Sequence, residues 1–509
     1  MRSELKRYYD VSYEGFRLPG FKTMSLYKVL ARLVQLFHEG TPVYRLKAVE
    51  PDKMVEILLA ELQHDENAKE KARVLLRKWL GKRLLLERED QDMGPNPIHY
   101  KTASMLDAAT FDDEGTSVLF YRILSSDRYL RRAFHRYFSP RKDDNAEEEL
   151  LVRLATRLPL EVDENPKPDA SGEASICPAF ERLVIDDFKR VFAYADSVSR
   201  GTFVGLLENL VGLHLATYEM LVTNIVNNFV KRSFYCPEKC PVAEDAGDLK
   251  GCHCVDGVFA SADRTLESVC QVAVRSFVSK IEKYRNYQYN LAYLRKLEQF
   301  NADGREYLKE QEFKLEPTPQ ELLELREHPD LRSWFEAEAM ILSEEETNGR
   351  RISFSMLDEA KIDAGVRHLS KVLSVLAPKK DSEYLHRLER LLGYGDGFGL
   401  LSSFRGSFMY YLSDAFLGFT IMLATVEKNK SGRYDHSVNM SLGDFCNFLR
   451  QRYGVNVGGR YKGGNPSQDI LEENIAILHR RLFYMGYVLD PLNRPINPTI
   501  RPNIVIKKD

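Results

Sequence analysis

Three observations predict a mainly α, multi-domain helical protein. Apolar residues recur at helical spacing through most of the chain. Strand-like runs are few. At 509 residues the chain is also too long for one hydrophobic core to organise. Composition shifts place a winged-helix-like domain at 1–110, a helical extension at 111–160, a linker at 161–174 and a helical domain with a Cys-rich loop at 175–315. A further helical domain at 316–435 and a C-terminal winged-helix-like module at 436–509 complete the division.

Residues 24–110 are the most legible. Leu26, Val29, Leu30, Leu33, Val34 and Phe37 predict a helix over Met24–His38, and Met54, Ile57, Leu58 and Leu62 predict a second over Pro51–Leu62. A third, near Asn67–Leu80, stops at Gly81. Leu84–Arg88 then reads as a strand, Glu89–Pro97 as a polar loop and Ile98–Lys101 as a returning strand. Three helices followed by a two-stranded ribbon is the order of a winged helix.

From Ala103 to Leu160 the pattern is helical, with Arg122, Arg128, Arg131, Arg132 and Arg136 set among aromatic residues. Glu161–Ala174, with Pro166, Pro168 and Gly172, is the linker. Ala179–Lys231 predicts two long helices broken near Ser199-Arg-Gly201, and Ala262–Phe300 another. Residues 316–427 continue mostly helical. The tail predicts helices over Ser441–Tyr453 and Gln468–Met485, separated by a Gly-rich loop with Arg460 and Lys462. In the second of these, His479, Arg480 and Arg481 are expected on an exposed face.

The net charge of -3 provides no chain-wide basic field, so any nucleic-acid contact must come from local patches. Met1–Tyr9 is charged and lacks the apolar core of a signal peptide, which predicts a cytoplasmic protein. Two apolar segments, Gly205–Val230 and Ser407–Val426, are interrupted by polar residues such as Glu208, His214, Glu219 and Asp414. Both predict buried core helices rather than membrane spans.

Four of the seven cysteines fall in one polar segment: Cys236-Pro-Glu-Lys-Cys240, eleven residues, then Cys252-His253-Cys254. Without a secretory signature, that density predicts a metal cage in preference to disulfides. Zn²⁺ needs four soft ligands at tetrahedral corners, and Cys236, Cys240, Cys252 and Cys254 would supply them, leaving a closed, structural site. The Cys-x-Cys spacing is tight enough for His253 to replace a neighbouring ligand. An iron–sulfur cluster is the rival, with Cys177 or Cys270 as further ligands, and reduced unliganded thiols are the plain alternative.

The third N-terminal helix carries Lys69, Arg73, Arg77 and Lys78, followed by Lys82 and Arg83, opposite an apolar face of Ala72, Leu75, Leu76, Trp79 and Leu80. A basic third helix can enter the major groove while its cations neutralise phosphates. The same charge run also fits a solvated face, since Glu70, Glu87 and Glu89 dilute it. Gly393–Gly399 lacks the Lys and Ser/Thr of a phosphate loop. Asp330, Glu359 and Lys361 have nuclease residue types but lie on helical segments, and His64-Asp65 lacks partner histidines. No catalytic set emerges.

Phe448–Gly454, Asn474–Leu482 and Met485–Asp490 resemble the terminal winged-helix-like segments of accessory proteins in multigene prokaryotic anti-phage systems. The resemblance implies a DNA-associated defence role and transfers no functional residue. The expectation is therefore a non-enzymatic DNA-binding or scaffolding subunit of a defence or DNA-processing complex, with DNA and other protein subunits as partners and no membrane. A protein–protein adaptor without nucleic-acid contact is the alternative, and an unrecognised nuclease the third.

Overall fold

The computed structural model describes residues 26–39, 55, 56, 59, 70, 73, 74, 85–87, 93–95, 115–139, 177–232, 236, 240–255, 257–263, 401–404, 407–458, 467–488 and 498–506. Helices make up 62% of the interpretable residues, in line with the mainly α expectation. Among the described residues no helix is long and apolar enough to cross a membrane.

The first helix, α1 (Leu26–Glu39), buries Val29, Leu30, Leu33, Val34 and Phe37. Strands β1 (Leu85–Glu87) and β2 (Met93–Pro95) pair antiparallel, Leu85 opposite Pro95. A two-stranded ribbon follows here, but its second strand lies inside the segment expected to be loop, and the expected strand Ile98–Lys101 lies outside the described residues. Main-chain pairing with β1 decided this against the Gly94-Pro95 turn signal. Helices α2 (Thr116–Ser125) and α3 (Arg128–Tyr137) pack on α1. Asp127 caps α3, accepting from the Tyr129 and Leu130 amides at 3.0 Å. With Leu130, Phe134 and Tyr137 inward, the α3 arginines face solvent, and Phe134 stacks on Phe37 at 4.2 Å between ring centroids.

Helix α4 (Pro178–Phe192) starts with Pro at N1 and buries Phe180, Leu183, Val184, Phe188 and Val191. After the expected break, Ser199 accepts from the Thr202 amide at 3.2 Å and α5 (Arg200–Arg232) begins. Over 203–225 this helix is buried on most of its circumference, so it needs no amphipathic stripe. The apolar segment around Gly205–Val230 is thus a core helix, as its polar interruptions required.

The second such segment is a correction. Strands β4 (Leu401–Phe404) and β5 (Ser407–Tyr410) form an antiparallel hairpin, and α6 (Asp414–Ala424) begins only after Ser413, whose hydroxyl accepts from the Phe416 amide. Then come β6 (Val426–Lys428), β7 (Tyr434–Ser437), β8 (Met440–Ser441), α7 (Leu442–Tyr453), β9 (Val455–Asn456), α8 (Gln468–Tyr484) and β10 (Thr499–Ile500). Both α7 and α8 match their expected ranges closely.

Short pairings join this tail to the middle of the chain. The strand following the Cys-rich segment, β3 (Val258–Phe259), runs parallel to β9, and Ser261 bridges Tyr411. Strands β8 and β10 pair antiparallel beside α7. Asn474 of α8 is fully buried; it accepts from the Ala262 amide at 2.7 Å and donates to the Ala260 and Val457 carbonyls at 3.0 and 2.8 Å. Arg481 is not on an exposed face as expected. Its guanidinium donates to the carbonyls of Ala262 and Leu412 and pairs with Asp414. One hydrophobic cluster runs from Val29 to Ile500.

The linker 161–174, the helix expected beyond Asp263, residues 316–400 with Gly393–Gly399, Asp330, Glu359 and Lys361, and the loop 459–466 lie outside the described residues, as do His64 and Asp65.

Candidate metal centre and the buried charge cluster beside it

The Cys-rich segment is held from three sides. Arg182 of α4 donates to the carbonyls of Ala246 and Ala243 at 3.3 and 3.1 Å. The Leu249 amide donates to the Gln451 carbonyl of α7 at 3.1 Å, and Val258 and Ala260 donate to Gly454 and Asn456. Asn224, on α5, donates to the Cys254 carbonyl at 2.7 Å. Gly251 turns the chain at φ +84°, which suits a residue without a Cβ.

These restraints bring Cys236, His253 and Cys254 together, with one ligand atom from each within 4.8 Å of the others. The Cys254 thiol is 3.2 Å from Cys236 Sγ, and His253 Nε2 is 3.8 Å from the same sulfur. Two sulfurs on one tetrahedral ion stand about 3.8 Å apart and a sulfur and nitrogen about 3.5 Å apart, so the two separations from Cys236 Sγ depart from those values by about 0.6 and 0.3 Å. The group could hold a metal. Asn228 Nδ2 approaches Cys254 Sγ at 3.4 Å, orienting that sulfur.

Of the four expected ligands, Cys236 and Cys254 lie in this group, and His253 joins them. Cys252 is half-buried, two residues along the chain from Cys254, and lies outside the three-residue group. Cys240 is half-buried on the same segment, outside the three-residue group. The hydrogen bond with Cys236, then burial, pushes the Cys254 thiol up to about 12, and the neighbouring Cys254 thiol, then burial, raises Cys252. Crowded thiols of this kind stay protonated until a cation neutralises them. Burial likewise pushes Cys177, at the start of α4, up to about 12; Cys270 lies outside the described residues.

Next to this loop is a cluster that the sequence did not reveal. Asp186 and Asp187 of α4 face Arg452 of α7, whose Nη2 is 2.9 Å from Asp186 Oδ2 and 2.5 Å from Asp187 Oδ1. Asp186 also pairs with Arg190 at 3.0 Å and Lys428 at 3.2 Å and accepts from the Tyr434 hydroxyl at 2.6 Å. Asp187 accepts from the Tyr453 hydroxyl at 2.7 Å, with His214 Nε2 at 3.2 Å. Burial works to raise both carboxyls, but their partners outweigh it: the Arg190 and Arg452 charges hold Asp186 below the usual range, and the Arg452 charge with the His214 hydrogen bond does so for Asp187. Asp187 and His214 are 0% exposed, and the cluster joins α4, α5 and α7. A clue was present: Asp187 falls on the stripe Phe180, Val184, Val191, where an apolar residue belongs.

Of the residues expected to contact DNA, Arg73 is described. Its guanidinium is held by Glu56 at 2.7 Å and Glu70 at 2.6 Å. Lys69, Arg77, Lys78, Lys82 and Arg83 lie outside the described residues.

Residues 11–490 match the family model described as methylation-associated defense system protein MAD7. No curated protein and no solved structure matches the chain.

Proposed function

The chain belongs to the family of the methylation-associated defense system protein MAD7, and from that premise we propose that it is a non-enzymatic DNA-binding or scaffolding subunit of a defence complex, stiffened by a structural zinc ion. A role in anti-phage defence follows from the family, and a multigene defence system implies protein partners. The observation that carries the finer reading is the position of Cys236, His253 and Cys254 between the end of α5 and β3. An ion there ties the central helix to the strand that pairs with the C-terminal module. Cys252, two residues from Cys254, would supply the fourth ligand, and a site with four protein ligands has no open position for a substrate.

DNA contact rests on the basic N-terminal helix. The test is binding of full-length, zinc-replete protein to duplex DNA across a salt series. Affinity should fall steeply with salt, and Arg77→Glu with Lys78→Glu should weaken binding uniformly across sequences. Binding by that variant equal to wild type rejects the N-terminal face. A second reading, a protein–protein adaptor without nucleic-acid contact, is favoured by the pairing of Arg73 with Glu56 and Glu70, which occupies one cation of that face. Capture of a defence-system subunit by a chain that ignores DNA would select it.

A further inference from the structure

A cleft of about 500 Å³ opens between α3, the end of α4 and the β6–β7 turn, away from the thiol group. Five cations line it: Arg128, Arg132, Arg136, Lys189 and Arg433, against the single carboxylate of Asp196. Two are already engaged, Lys189 with Asp127 at 2.5 Å and Arg136 with Asp196 at 3.4 Å. Arg128, Arg132 and Arg433 are exposed and make no ion pair with any described residue.

This arrangement opposes local stability. Arg128 and Arg132 sit in the opening turns of α3, where the helix dipole already repels cations, and Arg131 crowds the same turns. Asp127 caps the amides but is shared with Lys189. Excess positive charge at this end of the helix is offset when an anion enters. Arg433 is brought to the opposite wall by the β6–β7 turn, where Asn429 Oδ1 accepts from its amide at 3.1 Å and Gly432 takes φ +80°.

Arg128, Arg132 and Arg136 follow one another at four-residue steps, so their side chains line one face of α3 about 6 Å apart. Guanidinium groups in a row fork onto phosphate oxygens. Between them Tyr129 is 40% exposed, a large ring left at the surface of the cleft. Cations that track a backbone beside an aromatic platform for bases form the pattern of single-strand recognition. A volume of this size admits a nucleotide-sized group but not a duplex.

We propose that this cleft binds single-stranded nucleic acid, with Arg128, Arg132 and Arg433 on phosphates and Tyr129 under an adjacent base. The proposal rests on the reading that the chain meets nucleic acid, and it places a second contact away from the N-terminal helix.

The test is fluorescence anisotropy of full-length protein with a labelled thymidine oligomer between about 50 and 200 mM salt. Wild type should bind with affinity falling as salt rises. Arg128→Gln with Arg132→Gln should reduce the slope of log K against log salt by about 1.4, at about 0.7 for each phosphate left without its arginine. Tyr129→Ala should weaken binding roughly 5- to 150-fold, with Tyr129→Phe close to wild type. All three substituted side chains of the cleft are exposed, and unchanged circular dichroism confirms folding. Wild-type slope and affinity in the double arginine variant overturn the cleft. If the Arg77→Glu, Lys78→Glu chain alone loses binding, the DNA-binding reading stands without it. No strand binding at low salt overturns the cleft, while the duplex salt series decides the N-terminal helix separately. Displacement of the oligomer by an equal concentration of dTMP would show a site for a free nucleotide and overturn the strand as its ligand.

Discussion

Replacing Arg452 by Met tests what joins α4 to α7. Arg452 is 6% exposed in its side chain and touches both Asp186 and Asp187. Asp186 keeps Arg190 and Lys428 after the substitution, so the loss falls on Asp187. That carboxylate is 0% exposed and would retain, among the described residues, the Tyr453 hydroxyl, His214 and the more distant Arg190 charge. A buried charge stripped of its partner costs about 3–5 kcal/mol. Urea unfolding at neutral pH, followed by circular dichroism, should show a loss of that order for Arg452→Met. Adding Asp187→Asn removes the stranded charge and should recover part of it, giving a coupling energy of about 1–3 kcal/mol in a double-mutant cycle. A single variant within about 1 kcal/mol of wild type, or two substitutions that simply add, would refute the claim that this pair joins α4 to α7.

Three other outcomes are expected. Since the folded carboxyls of Asp186 and Asp187 titrate below the unfolded value near 3.9, the unfolded chain takes up more protons as pH falls; the stability they contribute is complete above about pH 5 and is lost at lower pH. Urea midpoints measured from about pH 6 to pH 3 should fall on acidification, and less so in Arg452→Met, whose carboxyls are depressed less. Asn474→Leu leaves the Ala262 amide and the Ala260 and Val457 carbonyls without their side-chain partner, so thermal unfolding should report a loss of at least about 2 kcal/mol; wild-type stability would contradict it. Removing metal with a chelator should lower the unfolding temperature and speed hydrogen exchange at Leu249 and Val258, whose amides bind α7 and its cap; unchanged exchange would separate the loop's order from any metal.

What was legible depended on local signals. The long α5 declared itself because Ser199-Arg-Gly201 supplies a cap and a break between two apolar runs. The Cys-rich segment was visible from spacing alone. Its actual grouping was not, because α4, α5 and α7 decide which of its side chains converge. Ser407–Val426 misled because Phe408-Met-Tyr-Tyr-Leu412 is a continuous apolar run, which periodicity cannot assign to strand or helix. The Ser413 cap with Asp414 behind it marked the true helix start. Arg481 read as a surface cation because its carbonyl partners, Ala262 and Leu412, lie 219 and 69 residues away in the chain. Asp187 and Arg452 are likewise joined across the chain, and nothing near Arg452 in sequence announces a buried charge.

X-ray absorption at the zinc edge, on full-length protein purified with zinc and without chelator, bears most directly on the metal staple. One zinc per chain is expected, with sulfur at about 2.3 Å and nitrogen at about 2.0 Å, and none in the Cys236→Ser, Cys254→Ser chain. A metal-free wild type, or a double variant that keeps its zinc and its spectrum, would contradict it.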